Sequence, residues 1–223
     1  MAKKITRKQL LKEPDQFITF TGRMIAFAKE NRKQLIGGVI AFVLALFITL
    51  GVKYYLVHNR EESFSHLSAL QQELNQMANE APDKIYDVLS DKFKTFLKDY
   101  TGTKAGELGR IDYASIAINA GKSDEAVEMY KAALDETGPD SSYKDLILEG
   151  LASAYEQKGD LDNALKYNKM ILDNNDPSMT DQANFNMGRL YEAKGDLEKS
   201  REYYKKISDN FYNKDIVSEK IAG

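Results

Sequence analysis

The chain has 223 residues, a formal net charge of −3 and 43% apolar residues. This composition predicts a folded chain with a hydrophobic core rather than a disordered one. Because there is no cysteine, disulfides, thiolate metal sites, iron–sulfur clusters and cysteine nucleophiles are excluded. Only two histidines, His58 and His66, are available as metal ligands or proton carriers near neutral pH, which weighs against an enzyme.

Charge is distributed unevenly along the chain. Residues 1–34 hold nine Lys and Arg residues against three acidic ones, a net charge of +6, whereas the rest of the chain carries −9. We therefore expect the two parts to face different surroundings, and residues 1–34 to form a basic cytoplasmic leader. Within the leader, Phe17, Phe20, Met24 and Phe27 recur at helical spacing. This pattern predicts either an amphipathic helix in the lipid headgroup layer or a helical extension of the segment that follows.

The segment that follows is predicted to cross a membrane. The stretch Leu35–Val52 has 18 residues without a charge and is rich in Leu, Ile, Val and Phe. At 1.5 Å per residue it extends about 27 Å, close to the roughly 30 Å core of a bilayer. Lys53, Tyr54 and Tyr55 suit the membrane interface, so the predicted transmembrane signal anchor covers residues 35–57. The alternatives are a buried helix of a soluble core and a cleaved signal peptide, for which the leader is too long.

The basic leader also predicts the orientation of the chain. Lys and Arg residues beside a span stay on the cytoplasmic side. We therefore expect a single-pass protein of the bacterial inner membrane, with a cytoplasmic N-terminus and a periplasmic C-terminal domain. The apolar stripe next to the span indicates that residues 17–57 contact membrane lipid, and it disfavours nucleic acid as the partner of the basic block.

Internal repeats occupy the chain after residue 60, where no alternating apolar pattern predicts strands. Gly-Asp-Leu-Asp-Asn-Ala at 159–164 recurs as Gly-Asp-Leu-Glu-Lys-Ser at 195–200, and Gly-Lys-Ser-Asp-Glu-Ala at 121–126 precedes both. The glycine can adopt the left-handed conformation that ends a helix, and Asp160 or Asp196 can cap the next helix. Such hairpins cannot bury their apolar faces alone, so we expect them to stack into a solenoid with a concave groove.

The residues around these turns resemble the tetratricopeptide repeat family. The second copy carries the resemblance in Leu148, Leu151, Ala152, Tyr155, Gly159, Asp160, Ala164 and Ile171, the third in Asn184, Met187, Gly188, Tyr191, Gly195, Asp196, Ser200, Tyr204 and Ile207, and the first, less closely, in Tyr113, Ala114, Ala117, Gly121, Ala126, Tyr130 and Ala133. The predicted fold class is all-α, with an N-terminal transmembrane helix followed by a tetratricopeptide-repeat solenoid. Residues 58–100 form an N-terminal helical pair or a degenerate repeat, residues 101–214 three repeats and residues 215–223 a C-terminal capping helix.

The family resemblance implies a protein-binding groove lined by the first helix of each repeat. The implied lining residues are Leu108, Ile111, Ser115 and Ile118, then Leu146, Glu149, Ser153 and Glu156, then Gln182, Phe185, Arg189 and Glu192. Such a groove suits extended apolar or weakly polar polypeptide. The Lys and Asn that form the two-carboxylate clamp of some relatives are absent from these positions. Any single apolar position can instead pack against a neighbouring helix.

No combination of residues in the sequence predicts catalysis. His58 and His66 lack a third ligand, so we interpret them as solvated surface side chains. The acidic pairs after Gly159 and Gly195 have the composition of acid–base pairs, but their place in the repeat turn favours helix capping. A Gly-rich phosphate loop, a Ser-His-Asp set and a zinc motif do not occur. We therefore predict a chain that is not an enzyme and has no cofactor, metal site or small-molecule substrate.

The layout as a whole resembles the ancillary subunit of the bacterial Sec translocon: a basic leader, one span and a small exported repeat domain. The resemblance covers nearly the full length. It implies a non-catalytic scaffold beside the translocation channel, whose partners are translocon subunits, periplasmic chaperones or exported chains. The alternative is a scaffold subunit of another envelope machine, for polysaccharide export or outer-membrane biogenesis. A sensor is disfavoured because the cytoplasmic segment is too short for an effector domain.

Overall fold

The computed structural model describes residues 16–138, 141–174 and 176–222, with side chains from residue 20 onward. Residues 1–15 of the predicted leader, the side chain of Phe17 and Gly223 of the predicted capping helix lie outside the described residues. Within the described part the chain is helical and contains no strand, which confirms the all-α class. The helices are α1 (Gln16–Glu30), α2 (Arg32–Gln76), α3 (Pro82–Asp99), α4 (Lys104–Asn119), α5 (Ser123–Glu136), α6 (Lys144–Gln157), α7 (Leu161–Asp173), α8 (Pro177–Ala193), α9 (Leu197–Tyr204) and α10 (Lys214–Ala222).

The chain divides into two units, one up to His58 and one from Asn59 onward. The first unit holds α1 and the apolar part of α2. Among the described residues, α2 is the helix whose length and composition suffice to cross a bilayer. In the part of α2 that belongs to this unit, the large apolar side chains are exposed: Phe42 and Phe47 are 71% and 68% exposed. The apolar side chains of α1 are exposed as well, including Phe20 and Phe27.

Helix α2 is longer than the sequence pattern suggested. The anchor was predicted to end at residue 57, before an N-terminal helical pair or degenerate repeat over residues 58–100, but α2 continues without interruption to Gln76. The physical reason is that no Gly or Pro occurs between Gly51 and Pro82, so nothing removes an intrahelical hydrogen bond. Pro82 then begins α3 in the first turn, where its missing N–H costs nothing.

The second unit is a stack of helical hairpins. Helices α4 and α5, α6 and α7, and α8 and α9 form three hairpins, and each helix from α3 to α10 packs against the next in chain order. The first helices of the first two hairpins, α4 and α6, also contact each other. This arrangement is a solenoid, in which every hairpin buries its apolar face against its neighbours.

The turns inside the hairpins confirm the conformation predicted from the repeated motif. Gly121, Gly159 and Gly195 have φ values of 71°, 77° and 78°. The chain then reverses, and the N–H of Asp160 donates to the carbonyl of Tyr155, in the last turn of α6, at 2.9 Å. The carboxylates of Asp160 and Asp196 accept from the backbone N–H three residues later, each at 3.1 Å. Both aspartates therefore cap a helix, as expected.

Three apolar clusters fill the unit. The largest runs through all three repeats and contains Leu148 and Leu151 of α6. An N-terminal cluster, around Leu67, Phe93 and Tyr113, joins α2 and α3 to the first repeat. A C-terminal cluster consists of Tyr204, Ile207, Phe211 and Val217, and it packs α10 against the last hairpin.

Tyrosines fill two different positions on the second helices. Tyr167 and Tyr203 stack on tyrosines of the preceding helices, Tyr155 and Tyr191, with ring centroids 5.6 and 5.5 Å apart. Tyr204 is fully buried one position further along. The stacked ring is thus one position before the buried ring: Tyr167 and Tyr203 follow their turn glycines by eight residues, whereas Tyr130 and Tyr204 follow theirs by nine.

Candidate protein-binding groove

An open groove of about 460 Å³ lies between the first helices of repeats 1 and 2, and we call it the repeat 1–2 groove. Its lining residues are Ile118, Asn119, Tyr130, Leu146, Glu149, Gly150, Ser153 and Gln157. The structure thus brings together four residues that the family resemblance placed on the concave face, namely Ile118, Leu146, Glu149 and Ser153.

The floor of the groove is formed by Tyr130 and Gly150. A Cβ atom at Gly150 would overlap the Tyr130 ring, so this glycine allows the ring to lie directly against the α6 backbone. Burial raises the pKa of Tyr130 to about 12, while the hydrogen bond with Ser115 acts in the opposite direction. The tyrosine is therefore neutral under physiological conditions.

Of the residues that line the groove, Glu149 is the one with a charged side chain. It is half-buried, and it has no hydrogen bond or ion pair among the residues that the structure describes. Burial raises the pKa of Glu149 above its usual value. Asp112, which also acts electrostatically on Tyr130, accepts a hydrogen bond from Gln71 Nε2 at 2.7 Å, and burial raises its pKa too.

Two other predicted lining residues of repeat 1 belong to the packed interior. Ile111 is 6% exposed and is part of the largest apolar cluster. Leu108 is half-buried against the same cluster and the N-terminal one. Both face neighbouring helices because α3 and α6 cover that side of α4. Ser115, by contrast, is exposed.

An ion pair engages two further predicted groove residues. Both terminal guanidinium nitrogens of Arg189 donate to the Glu156 carboxylate, with Nη2 at 2.7 Å from Oε2. The hydrogen bonds with Glu156 raise the pKa of Arg189. This fork joins α6 to α8, so neither side chain is free for a partner without breaking the pair.

The chain's own C-terminal segment engages the rest of the repeat 3 set. Tyr212 donates to Gln182 at 3.0 Å, and Lys220 donates to Glu192 at 2.5 Å. The ring of Phe185 packs against that of Phe211, with centroids 5.6 Å apart. Helix α10 and the loop before it therefore cover the first helix of repeat 3 and form hydrogen bonds with its side chains, as a following repeat would.

A network around Glu125 is a feature that sequence reasoning missed. Its carboxylate accepts hydrogen bonds from Tyr113 and Tyr86, at 2.6 and 2.5 Å, and pairs with Lys94 at 3.0 Å. Burial alone would raise the pKa of Glu125, but these donors hold it below its usual value. The available signal was that the other two copies have Asn163 and Lys199 at this motif position. With its oxygens occupied by donors, Glu125 stabilises the packing of α3 on repeat 1.

Metal-ligating side chains do not cluster in the described part of the chain. It contains no set of three His, Asp or Glu side chains close enough to hold a metal ion. His58 stacks on Tyr54, and His66 contacts the Tyr100 ring edge-on at 5.4 Å. Of the acidic residues in the two turns, Asp160 and Asp196 cap helices as described above, whereas Asp162 pairs with Lys194.

Comparison with known proteins places this fold among repeat proteins. A family model described as "Tetratricopeptide repeat-like domain" matches residues 26–222. No curated protein sequence matches the chain. Among solved structures, the nearly identical TPR-like repeats of a provisionally assigned kinesin light chain from Podosopora anserina superpose with a TM-score of 0.57 at 12% identity, covering 70% of this chain and 85% of that one. A single-substitution variant of that protein gives a TM-score of 0.58 at 13% identity with the same coverage.

These similarities agree with the geometry. The structural matches are too distant in sequence to carry more than the fold, but the family model covers most of the chain, including every hairpin described above. Repeat domains of this kind are generally protein-interaction modules, which fits an open groove on stacked helices. The chain belongs to the tetratricopeptide repeat-like domain family.

Proposed function

We propose that this chain is a non-catalytic scaffold anchored in the bacterial inner membrane, which binds exported proteins and assists the Sec translocon and periplasmic chaperones. The observation that carries the binding role is the open repeat 1–2 groove, in which the side chains of Leu146 and Ser153 are exposed and that of Glu149 is half-buried. Leu146 is 49% exposed there, and Ser153 is exposed beside it. Exposed apolar side chains in a concave surface are typical of a site that accepts extended polypeptide.

The membrane anchor in this proposal is the apolar part of α2. A run of 18 uncharged residues whose large apolar side chains are exposed would aggregate in water, whereas lipid covers such a surface. Exposed Phe20, Met24 and Phe27 on α1 suit the headgroup layer. The excess of Lys and Arg before the span favours a cytoplasmic N-terminus and a periplasmic repeat domain.

Site-specific photocrosslinking in intact cells tests the proposed partner. A benzophenone amino acid is introduced in place of Leu146 or Ser153, which line the groove, and in place of the exposed Lys169 on α7 as a control. We expect adducts with translocon subunits, periplasmic chaperones or newly exported chains from the two groove positions alone. Adducts confined to components of one polysaccharide-export or outer-membrane assembly machine would show that the scaffold serves that machine and not the translocon. Equal adducts from all three positions would contradict a role for the groove.

Thiol labelling tests the proposed topology, and the absence of native cysteine makes it clean. Single cysteines replace Glu30, before the span, and Ser142, in the repeat unit. A membrane-impermeant maleimide applied to cells with a permeabilised outer membrane should label the Ser142→Cys protein and leave the Glu30→Cys protein unlabelled until the inner membrane is opened. The reverse pattern would refute the orientation, and labelling of both proteins after lysis is the control for thiol reactivity.

A further inference from the structure

The charge of the repeat 1–2 groove indicates which kind of polypeptide segment the groove binds. Among the described residues that line the groove, Glu149 is the charged one, and no Lys or Arg stands beside it. Its carboxylate is half-buried and has no hydrogen-bond donor among the residues that the structure describes, unlike those of Glu125, Glu156 and Glu192, which are all paired. A partly desolvated, unpaired carboxylate is unfavourable in the free protein, and a cation from a partner relieves that cost.

Apolar surface flanks this carboxylate. Leu146 is half exposed one helical turn before Glu149, and the partly buried Ile118 lies across the groove on α4. Asp112, which is not among the lining residues, adds a second negative charge that acts on Tyr130 together with Glu149. The groove therefore combines apolar walls with a negative centre.

From this arrangement we infer that the repeat 1–2 groove binds a polypeptide segment that places a Lys or Arg side chain at Glu149 and a neighbouring apolar side chain against Leu146 and Ile118. The inference rests on the proposed function, since it names the chemistry of the segment that the scaffold binds. The aliphatic stem of the basic side chain packs along the walls while its cation meets the carboxylate. An acidic segment is disfavoured, because it would bring like charge to a desolvated carboxylate.

Peptide binding to the full chain tests this inference. The protein is reconstituted in nanodiscs of zwitterionic phosphatidylcholine, so that basic peptides have no anionic lipid to bind, and empty nanodiscs give the background. The probes are four fluorescein-labelled Ser/Gly peptides with a central Leu-X-Leu, where X is Lys, Arg, norleucine or Glu. Fluorescence anisotropy should show the Lys and Arg peptides binding about 10-fold more tightly than the norleucine peptide, with the Glu peptide weakest, and this preference should shrink as salt is raised.

Two substitutions at Glu149 make the test specific to this carboxylate. Glu149→Gln should reduce the affinity for the Lys peptide to that for the norleucine peptide and leave the latter unchanged. Glu149→Lys should invert the preference, so that the Glu peptide binds more tightly than the Lys peptide. Glu128→Gln, which makes the same charge change at an exposed site on α5, should keep the wild-type order. Circular dichroism of each variant confirms that the helices are retained.

Several results would overturn the inference: equal affinity of the wild-type chain for the Lys and norleucine peptides, an unchanged order in Glu149→Gln, or no binding of any peptide. These outcomes are separable from failure of the proposed function. If the peptides show no charge preference while Leu146 and Ser153 still give protein adducts in cells, the scaffold role stands and the basic-segment chemistry fails. If the groove positions give no adducts either, both fail.

Discussion

Gly188 lies directly against the ring of Tyr204. A Cβ atom at this glycine would be 2.6 Å from the nearest ring carbon, well inside van der Waals contact, and the ring is fully buried. The first and second helices of repeat 3 therefore approach closely because position 188 has no side chain. The stability of the repeat should therefore change measurably when one methyl group is added at position 188.

Gly188→Ala should destabilise the repeat unit. Overpacking of a buried ring costs about 1–3 kcal/mol, and the better helix propensity of alanine offsets about 1 kcal/mol of it, so we expect a net loss of up to about 2 kcal/mol. Urea unfolding of the full chain followed by circular dichroism measures the change. In a Tyr204→Leu background, where no ring stands against the glycine, the same substitution should be neutral or stabilising. Additive effects of the two substitutions would show that the contact is not responsible.

Loss of the Tyr113 hydroxyl should weaken the attachment of α3 to repeat 1. Tyr113→Phe removes a donor to the Glu125 carboxylate, and a hydrogen bond to a charged group at this burial contributes about 1–2 kcal/mol. It should also raise the pKa of Glu125, because that donor helps to hold the value low. Urea unfolding and carboxyl-resolved NMR titration measure the two effects. Tyr212→Phe removes a hydroxyl that donates to the neutral Gln182 at the exposed surface; it is the control and should change stability by less than about 0.5 kcal/mol.

The two aspartate caps predict a loss of stability in acid. Hydrogen bonds from Asn163 lower the pKa of Asp160, and those from Lys199 lower that of Asp196. A lowered folded-state pKa means that the stabilisation is complete above the unfolded-state value, near 3.8, and is lost as the pH falls through the folded-state value. Between neutral pH and pH about 2, the melting temperature of the Asp160→Asn protein should therefore fall less steeply than that of the wild type, because asparagine caps without titrating. Parallel curves for the two proteins would contradict this cause.

A charge placed under α10 should release that helix selectively. Val217 is fully buried against Tyr204, Ile207 and Phe211, so Val217→Asp buries an unpaired carboxylate at a cost of several kcal/mol. We expect faster hydrogen exchange in α9 and α10, with α4 to α7 retaining their protection. Ile216→Asp makes the same change at the neighbouring exposed position and should leave exchange near wild type. Uniform loss of protection across the unit would mean that α10 does not unfold separately.

Local chemistry explains which features could be predicted from the sequence. The turn glycines and the capping aspartates were predictable because a positive φ and a free helix N-terminus each demand particular residues at fixed positions, whatever packs around them. Gly159 has the positive φ, and the adjacent Asp160 caps the helix that follows. The all-helical stack followed from the same repeated motif, since each copy specifies one hairpin.

Features that depend on neighbouring helices could not be read from the repeat pattern. Ile111 and Phe185 occupy the same position of their helices as Glu149, yet one is buried by adjacent helices and the other packs against Phe211, while Glu149 lines an open groove. A family template assigns all three to one surface because it contains no information on the loop and helix after residue 204. The pairing of Glu156 with Arg189 was equally hidden, since it joins residues 33 positions apart.

The packing of each hairpin on the next in chain order also bears on how the repeat unit forms. Most of its contacts join residues that are close along the sequence, so folding needs no long loop closure, and such low contact order is associated with rapid folding. Repeat stacks of this kind can begin at one hairpin and propagate to the next. The unit can therefore acquire structure from its N-terminal hairpin while later residues are still emerging, which limits the time that its apolar faces are open to aggregation.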